Sequence, residues 1–183
     1  MDVTPPGTAF WLKWLVSFLG FPLGGSLAYA LVRSVDGTGD ALVAGAAAGA
    51  VIGAAQWLVL RTPIAMSPWW VVATAAGLGI GLALGAGLFG EATSIRPLVL
   101  RALVTGIVVG AAQWIVLRQF VAMASWWVPA VGLSWTAGWM VTRGAGVDLS
   151  RGWTVFGATG ALAFAALTGA VMVWLLRLGT KAP

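Results

Sequence analysis

The sequence predicts an all-α membrane protein, a polytopic bundle of six transmembrane helices built as three tandem helical hairpins about a pseudo-threefold axis. Three observations carry that expectation. The composition is 60% apolar and 8% charged over 183 residues, against about 45–50% and about 25% in a soluble domain, so water could not wet its surface. Charged and turn residues cut the chain into six apolar stretches, most of them near the ~20 residues that cross a hydrocarbon core of ~30 Å. And one segment of the chain is written twice.

The first stretch, 10–32, opens on Trp11 and Trp14 around one cation, Lys13. Lys13, the apolar run and Ala28-Tyr29-Ala30 also look like parts of a secretory signal peptide. Asp2, two early prolines and the continuation of the run past residue 30 favour a retained helix. Asp36-Gly37-Thr38-Gly39-Asp40 is turn chemistry, and stretch 41–60 then runs to Arg61. After Thr62-Pro63, stretch 69–89 starts on Trp69-Trp70 and stops at Gly90-Glu91. Stretch 98–117 ends at Arg118, and 126–142, the shortest, starts on Trp126-Trp127. Gly144-Ala145-Gly146 separates it from 153–176, which is long enough to tilt. Residues 1–183 thus read as one integral membrane domain with both termini on one side.

The repeat sets the architecture. Gly53-Ala54-Ala55-Gln56-Trp57-Leu58-Val59-Leu60-Arg61 recurs 57 residues later as Gly110-Ala111-Ala112-Gln113-Trp114-Ile115-Val116-Leu117-Arg118, and 13 of the 19 residues from 53 to 71 are identical. Apolar bias explains a few identities, but not a paired Gln-Trp, Arg and Trp-Trp. A third, worn copy covers Gly169 to Arg177, with Met172 in place of Gln. A two-helix unit returns to its starting side, so the copies run parallel, as three hairpins.

The pattern G-x-x-Q-W-x-x-L-R followed eight residues later by W-W, here Gly53 to Trp70 and Gly110 to Trp127, resembles one seen in small uncharacterised bacterial multi-pass membrane proteins. The resemblance covers about a fifth of the chain, and the third copy departs from it at Met172 and lacks the Trp pair. It implies a bacterial inner-membrane address and no known activity. In size and helix count the chain is also similar to the substrate-binding subunits of vitamin importers, an architectural likeness only.

Glycines at Gly45, Gly49 and Gly53, and again at Gly106 and Gly110, are spaced by four. That spacing makes one stripe along a helix where backbones approach closely, within the bundle or at a subunit interface. Gln56 and Gln113 are the repeated polar residues of the spans. Facing lipid, an unpaired amide is costly, so each either hydrogen-bonds between helices or lines an internal path. Trp11, Trp14, Trp57, Trp69, Trp70, Trp114, Trp126, Trp127 and Trp174 fall on the side of the termini, with Trp139 and Trp153 on the other and Trp135 deeper. An anchoring belt is two-sided. With Arg61, Arg118 and Arg177 this asymmetry predicts a one-sided Trp/Arg collar, suited to anionic headgroups, a partner protein or an amphipathic ligand.

Other chemistry is scarce. The chain has no Cys and no His, which removes thiolate nucleophiles, His-ligated haem or chlorophyll and the commonest general base. No metal-ligand or phosphate-loop spacing appears, and the five acids fall in loops or the N-terminal arm. No cofactor is expected, although a carotenoid or quinone held by apolar contact is compatible. The net charge of +5 is scattered singly, which does not fit nucleic acid. Lys and Arg divide evenly between the two sides, but Asp36, Asp40, Glu91 and Asp148 all fall opposite the termini; net charge therefore leans toward cytoplasmic termini. The functional expectation is a non-enzymatic scaffold or accessory subunit binding lipid or another membrane protein through the collar. The alternative is a small-solute carrier, pore or substrate-binding transporter subunit with Gln56 and Gln113 facing an internal path.

Overall fold

The computed structural model describes residues 7–90, 94–146 and 158–179. Every described element is helical: α1 (Thr8–Val16), a 3-10 turn (Ser17–Leu19), α2 (Gly20–Leu31), α3 (Thr38–Leu60), α4 (Trp69–Phe89), α5 (Ile95–Leu117), a second 3-10 turn (Ala124–Trp126), α6 (Trp127–Gly144) and α7 (Ala158–Leu178). Five spans are long and apolar enough to cross a membrane: Thr8–Leu31, Thr38–Leu60, Trp69–Phe89, Ile95–Leu117 and Thr159–Leu178. The 18-residue α6 is not among them. It carries Ser134, Thr136, Thr142 and Arg143, which lower its hydropathy. The third and fifth stretches start within a residue of the expected positions, whereas α3 and α5 each begin three residues earlier than expected. The start of the last stretch at 153 lies outside the described residues.

Each helix packs on its neighbours in sequence, and α1 closes a ring by packing on α7. The glycines set the distances. Gly45, Gly49 and Gly53 of α3 meet Gly79, Ala75 and Val71 of α4 in that order, so the two helices are antiparallel. A methyl group on Gly49 would sit 2.7 Å from the Thr74 carbonyl oxygen, and one on Gly106 would sit 2.8 Å from the Gly132 Cα. These stripes all face backbone inside the bundle, where close approach maximises dispersion contact.

The sequence repeat is also a repeat of contacts. Gly49 lies against Thr74, Ala75 and Leu78, and Gly106 lies against Val131, Gly132 and Trp135, every residue displaced by 57. Gly53 and Gly110 continue the match, meeting Val71 with Thr74 and Val128 with Val131. Gly20 lies against Val51, Ile52 and Ala55, and Gly77 against Val108, Val109 and Ala112, at the same displacement.

The first span reaches this register with one residue fewer. Six positions separate Trp14 from Gly20, but seven separate Trp70 from Gly77. The 3-10 turn Ser17–Leu19 absorbs the difference. Three 3-10 residues rise about 6 Å in one turn, about as far as four α-helical residues. Pro22 accounts for the position of the turn: it has no N–H to donate to Phe18, and its ring crowds that carbonyl.

Large apolar side chains face outward, among them Val16, Leu23, Leu88 and Leu133. The interior instead holds glycine, alanine, aromatic rings and most of the helix polar groups: Ser17, Gln56, Thr74, Thr105, Gln113, Ser134, Thr142 and Thr168 are buried. That inversion suits a hydrocarbon solvent, which rewards internal pairing of polar groups.

Candidate functional site

Two aromatic layers fill the interior. In the deeper one Phe21, Trp135 and Phe164 touch with ring centroids 5.8, 5.4 and 5.2 Å apart. Toward the ends that carry Arg61 and Arg118 lie three indoles, Trp14 of α1, Trp70 of α4 and Trp127 of α6, each 0% exposed. Trp127 packs on the other two, 6.0 Å from Trp14 and 6.1 Å from Trp70. Trp14, Trp70 and Trp127 were expected in the surface collar; they belong to the core. Trp70 and Trp127 stand at the starts of α4 and α6 and Trp14 near the end of α1, and Gly169 of α7 lies against the Trp14 ring.

A buried indole N–H needs an acceptor, and the helix preceding each indole around the ring supplies one. Trp70 Nε1 donates to Gln56 Oε1 of α3 at 3.2 Å, and Trp127 Nε1 to Gln113 Oε1 of α5 at 2.8 Å. Trp14 Nε1 donates to Thr168 Oγ1 of α7 at 3.1 Å. Gln113 Nε2 then donates to Gln56 Oε1 at 3.1 Å and to Thr74 Oγ1 at 2.9 Å. Because an indole can only donate, it dictates which amide atom faces it, and so orients both glutamines. Thr74 passes its own proton to the Trp70 carbonyl oxygen at 2.8 Å. The amides are 2% and 1% exposed for Gln56 and Gln113. Chemically the cluster contains no ionisable group; it joins α3, α4, α5 and α6 through directional bonds.

In the third copy, Met172 occupies the glutamine position and is fully buried. A thioether is a poor acceptor, and the indole partner is found one turn away, at Thr168. Thr74 and Thr168 were not anticipated as network members, since helix threonines usually bond only to their own backbone. Both also do that, Thr168 donating to Phe164 O at 2.7 Å. The available signal was the constant spacing of 14 from Gln56 to Trp70 and from Gln113 to Trp127.

The remaining collar residues form a partly exposed layer around this plug. Trp69 is 66% and Trp126 54% exposed, Trp174 is exposed, and Trp57 and Trp114 are half-buried. Arg61 lies over the Trp57 ring at 5.3 Å and Arg118 over the Trp114 ring at 5.1 Å. Trp57 is itself held by donating to the Met66 carbonyl oxygen at 2.8 Å. Trp126 and Trp174 meet edge to face at 6.4 Å. Arg177 is exposed and ends α7 on this same end, near Gly7. Trp153, Lys181, Arg151, Asp2, Glu91 and Asp148 lie outside the described residues.

No family model, curated protein or solved structure matches the chain.

Proposed function

We propose that the chain is a non-enzymatic, multi-pass inner-membrane scaffold or accessory subunit, built from three hairpins about a pseudo-threefold axis with six crossings. It binds lipid or a partner membrane protein through its Trp/Arg face. The observation that carries this reading is the division of labour among the tryptophans of this end: Trp14, Trp70 and Trp127 close the centre of the ring, while Trp57, Trp69, Trp114, Trp126 and Trp174 stand around it partly or largely exposed, Trp57 and Trp114 beside arginines. The 57-residue recurrence of helix contacts and the closure of α1 on α7 support the hairpin arrangement. The mutual pairing of Gln56 and Gln113 weighs against the alternative of a carrier or pore, because a solute using those amides would first have to break bonds to indoles.

The test is gentle purification followed by native mass spectrometry and an absorption spectrum. A co-purifying lipid or membrane protein that is lost in the variant W69A/W126A/W174A, with the fold intact, is the expected result. Solute flux through reconstituted protein that is abolished by Gln113→Leu would establish the carrier instead.

A further inference from the structure

We propose that the stacked pairs Trp57–Arg61 and Trp114–Arg118 are two headgroup sites for anionic phospholipid. The proposal rests on the lipid-binding half of the function above and gives it a chemistry, a location and a stoichiometry.

Each pair is built alike: an indole four residues before an arginine at the end of a helix, with the guanidinium 5.3 or 5.1 Å from the ring centroid. A guanidinium resting on an aromatic face is held in place while its N–H edge keeps the fork geometry that matches a phosphate. In the first copy the platform is fixed as well, because Trp57 donates to the Met66 carbonyl oxygen at 2.8 Å. One turn inward on the same helices, Leu58 is 53% and Ile115 52% exposed. An acyl chain below a phosphate would lie along these side chains, and for this reason the ligand is a phospholipid rather than a free ion. Charge agrees with this assignment. The described cations near this end are Lys13, Arg61, Arg118 and Arg177, while the described acids, Asp36 just before α3 and Asp40 in its first turn, lie at the other end.

The third copy differs at the decisive position. Val173 stands where Trp57 and Trp114 stand in the other two copies. The neighbouring Trp174 is engaged edge-on with Trp126.

Native mass spectrometry of the detergent-solubilised full chain, titrated with phosphatidylglycerol, phosphatidylcholine or inorganic phosphate, tests the proposal. Two phosphatidylglycerol adducts are expected, with phosphatidylcholine binding about tenfold weaker and inorganic phosphate not displacing the lipid. R61Q should remove one adduct and R61Q/R118Q both, while R177Q keeps both; W57L should weaken one. These arginines are exposed, and an unchanged melting temperature certifies the fold of each variant. Equal binding of phosphatidylcholine, displacement by inorganic phosphate, two adducts surviving in R61Q/R118Q, or an adduct lost in R177Q would each overturn it. If R61Q/R118Q keeps its lipid but W69A/W126A/W174A loses a bound lipid or partner, this inference fails and the broader reading stands. If no variant changes what is retained, both fail.

Discussion

Thr168 and Thr142 are both buried threonines at helix contacts, and their hydroxyls have opposite consequences. Thr168 accepts the Trp14 indole proton, whereas the Thr142 hydroxyl, facing Gly160, has no hydrogen-bond partner among the described residues. Removing one partner of a buried bond costs about 1–3 kcal/mol, and replacing an unpaired hydroxyl by a methyl group costs nothing or stabilises. Thr168→Val should therefore lower stability by about 1–3 kcal/mol while Thr142→Val leaves it unchanged or raises it, read from thermal or denaturant unfolding in detergent. Equal effects of the two would refute the assigned bonds. Gln113, which makes three hydrogen bonds across the ring, is the most connected polar side chain of the interior network. Gln113→Leu should cost about 2–4 kcal/mol, and adding Trp127→Phe should cost less than the sum of the singles, because the second change removes the indole proton that the first one orphans. An additive double-mutant cycle would show that the two side chains do not act as a pair.

At the scale of the element, glycine spacing converts apolar helices into a specified pair. The stripes of α3 and α5 meet backbone atoms at 2.7–3.0 Å from a hypothetical methyl group, so any side chain there forces the helices apart. Gly49→Ala and Gly106→Ala occupy equivalent places in the repeat and should each cost about 1–3 kcal/mol, as overpacking does. Gly39→Ala, in the first turn of α3 with nothing near it, should be neutral or slightly stabilising. A large difference between Gly49→Ala and Gly106→Ala would mean that the two contacts are not equivalent. The 3-10 turn before Pro22 belongs to the same scale: it restores the register of Gly20 with one residue fewer.

For the whole molecule the ring makes a prediction about sidedness. The C-terminal ends of α3, α5 and α7 and the start of α1 share one end, as Gly7 near Arg177 and the antiparallel glycine contacts require. Because the chain has no Cys, single substitutions report cleanly. Thr62→Cys and Ser125→Cys should react with an impermeant maleimide from one side of the membrane, and Ser34→Cys from the other. Labelling of Thr62→Cys and Ser125→Cys from opposite sides would break the six-crossing arrangement, because α4 or α5, which lie between them, would then fail to cross. Protection of the first pair in intact cells would agree with cytoplasmic termini.

How far the sequence reaches follows from the range of each interaction. Composition, span positions, the duplication and the glycine spacing are local or periodic, and a chain in hydrocarbon has few ways to satisfy them other than as packed helices. The tryptophans mark where that logic stops. All nine on the terminal side look alike in one dimension, yet Trp14, Trp70 and Trp127 are buried and Trp69 and Trp126 are exposed. Adjacent residues on a helix point about 100° apart, and which of two neighbouring indoles faces the ring's centre depends on how the ring closes. The same closure brings Thr168 of the last helix to Trp14 of the first, 154 residues away. Sequence alone determined that this chain forms repeated, closely packed membrane helices. Tertiary structure decided which polar and aromatic groups those helices use to hold one another and which they leave exposed, because that choice is made where helices distant in sequence meet.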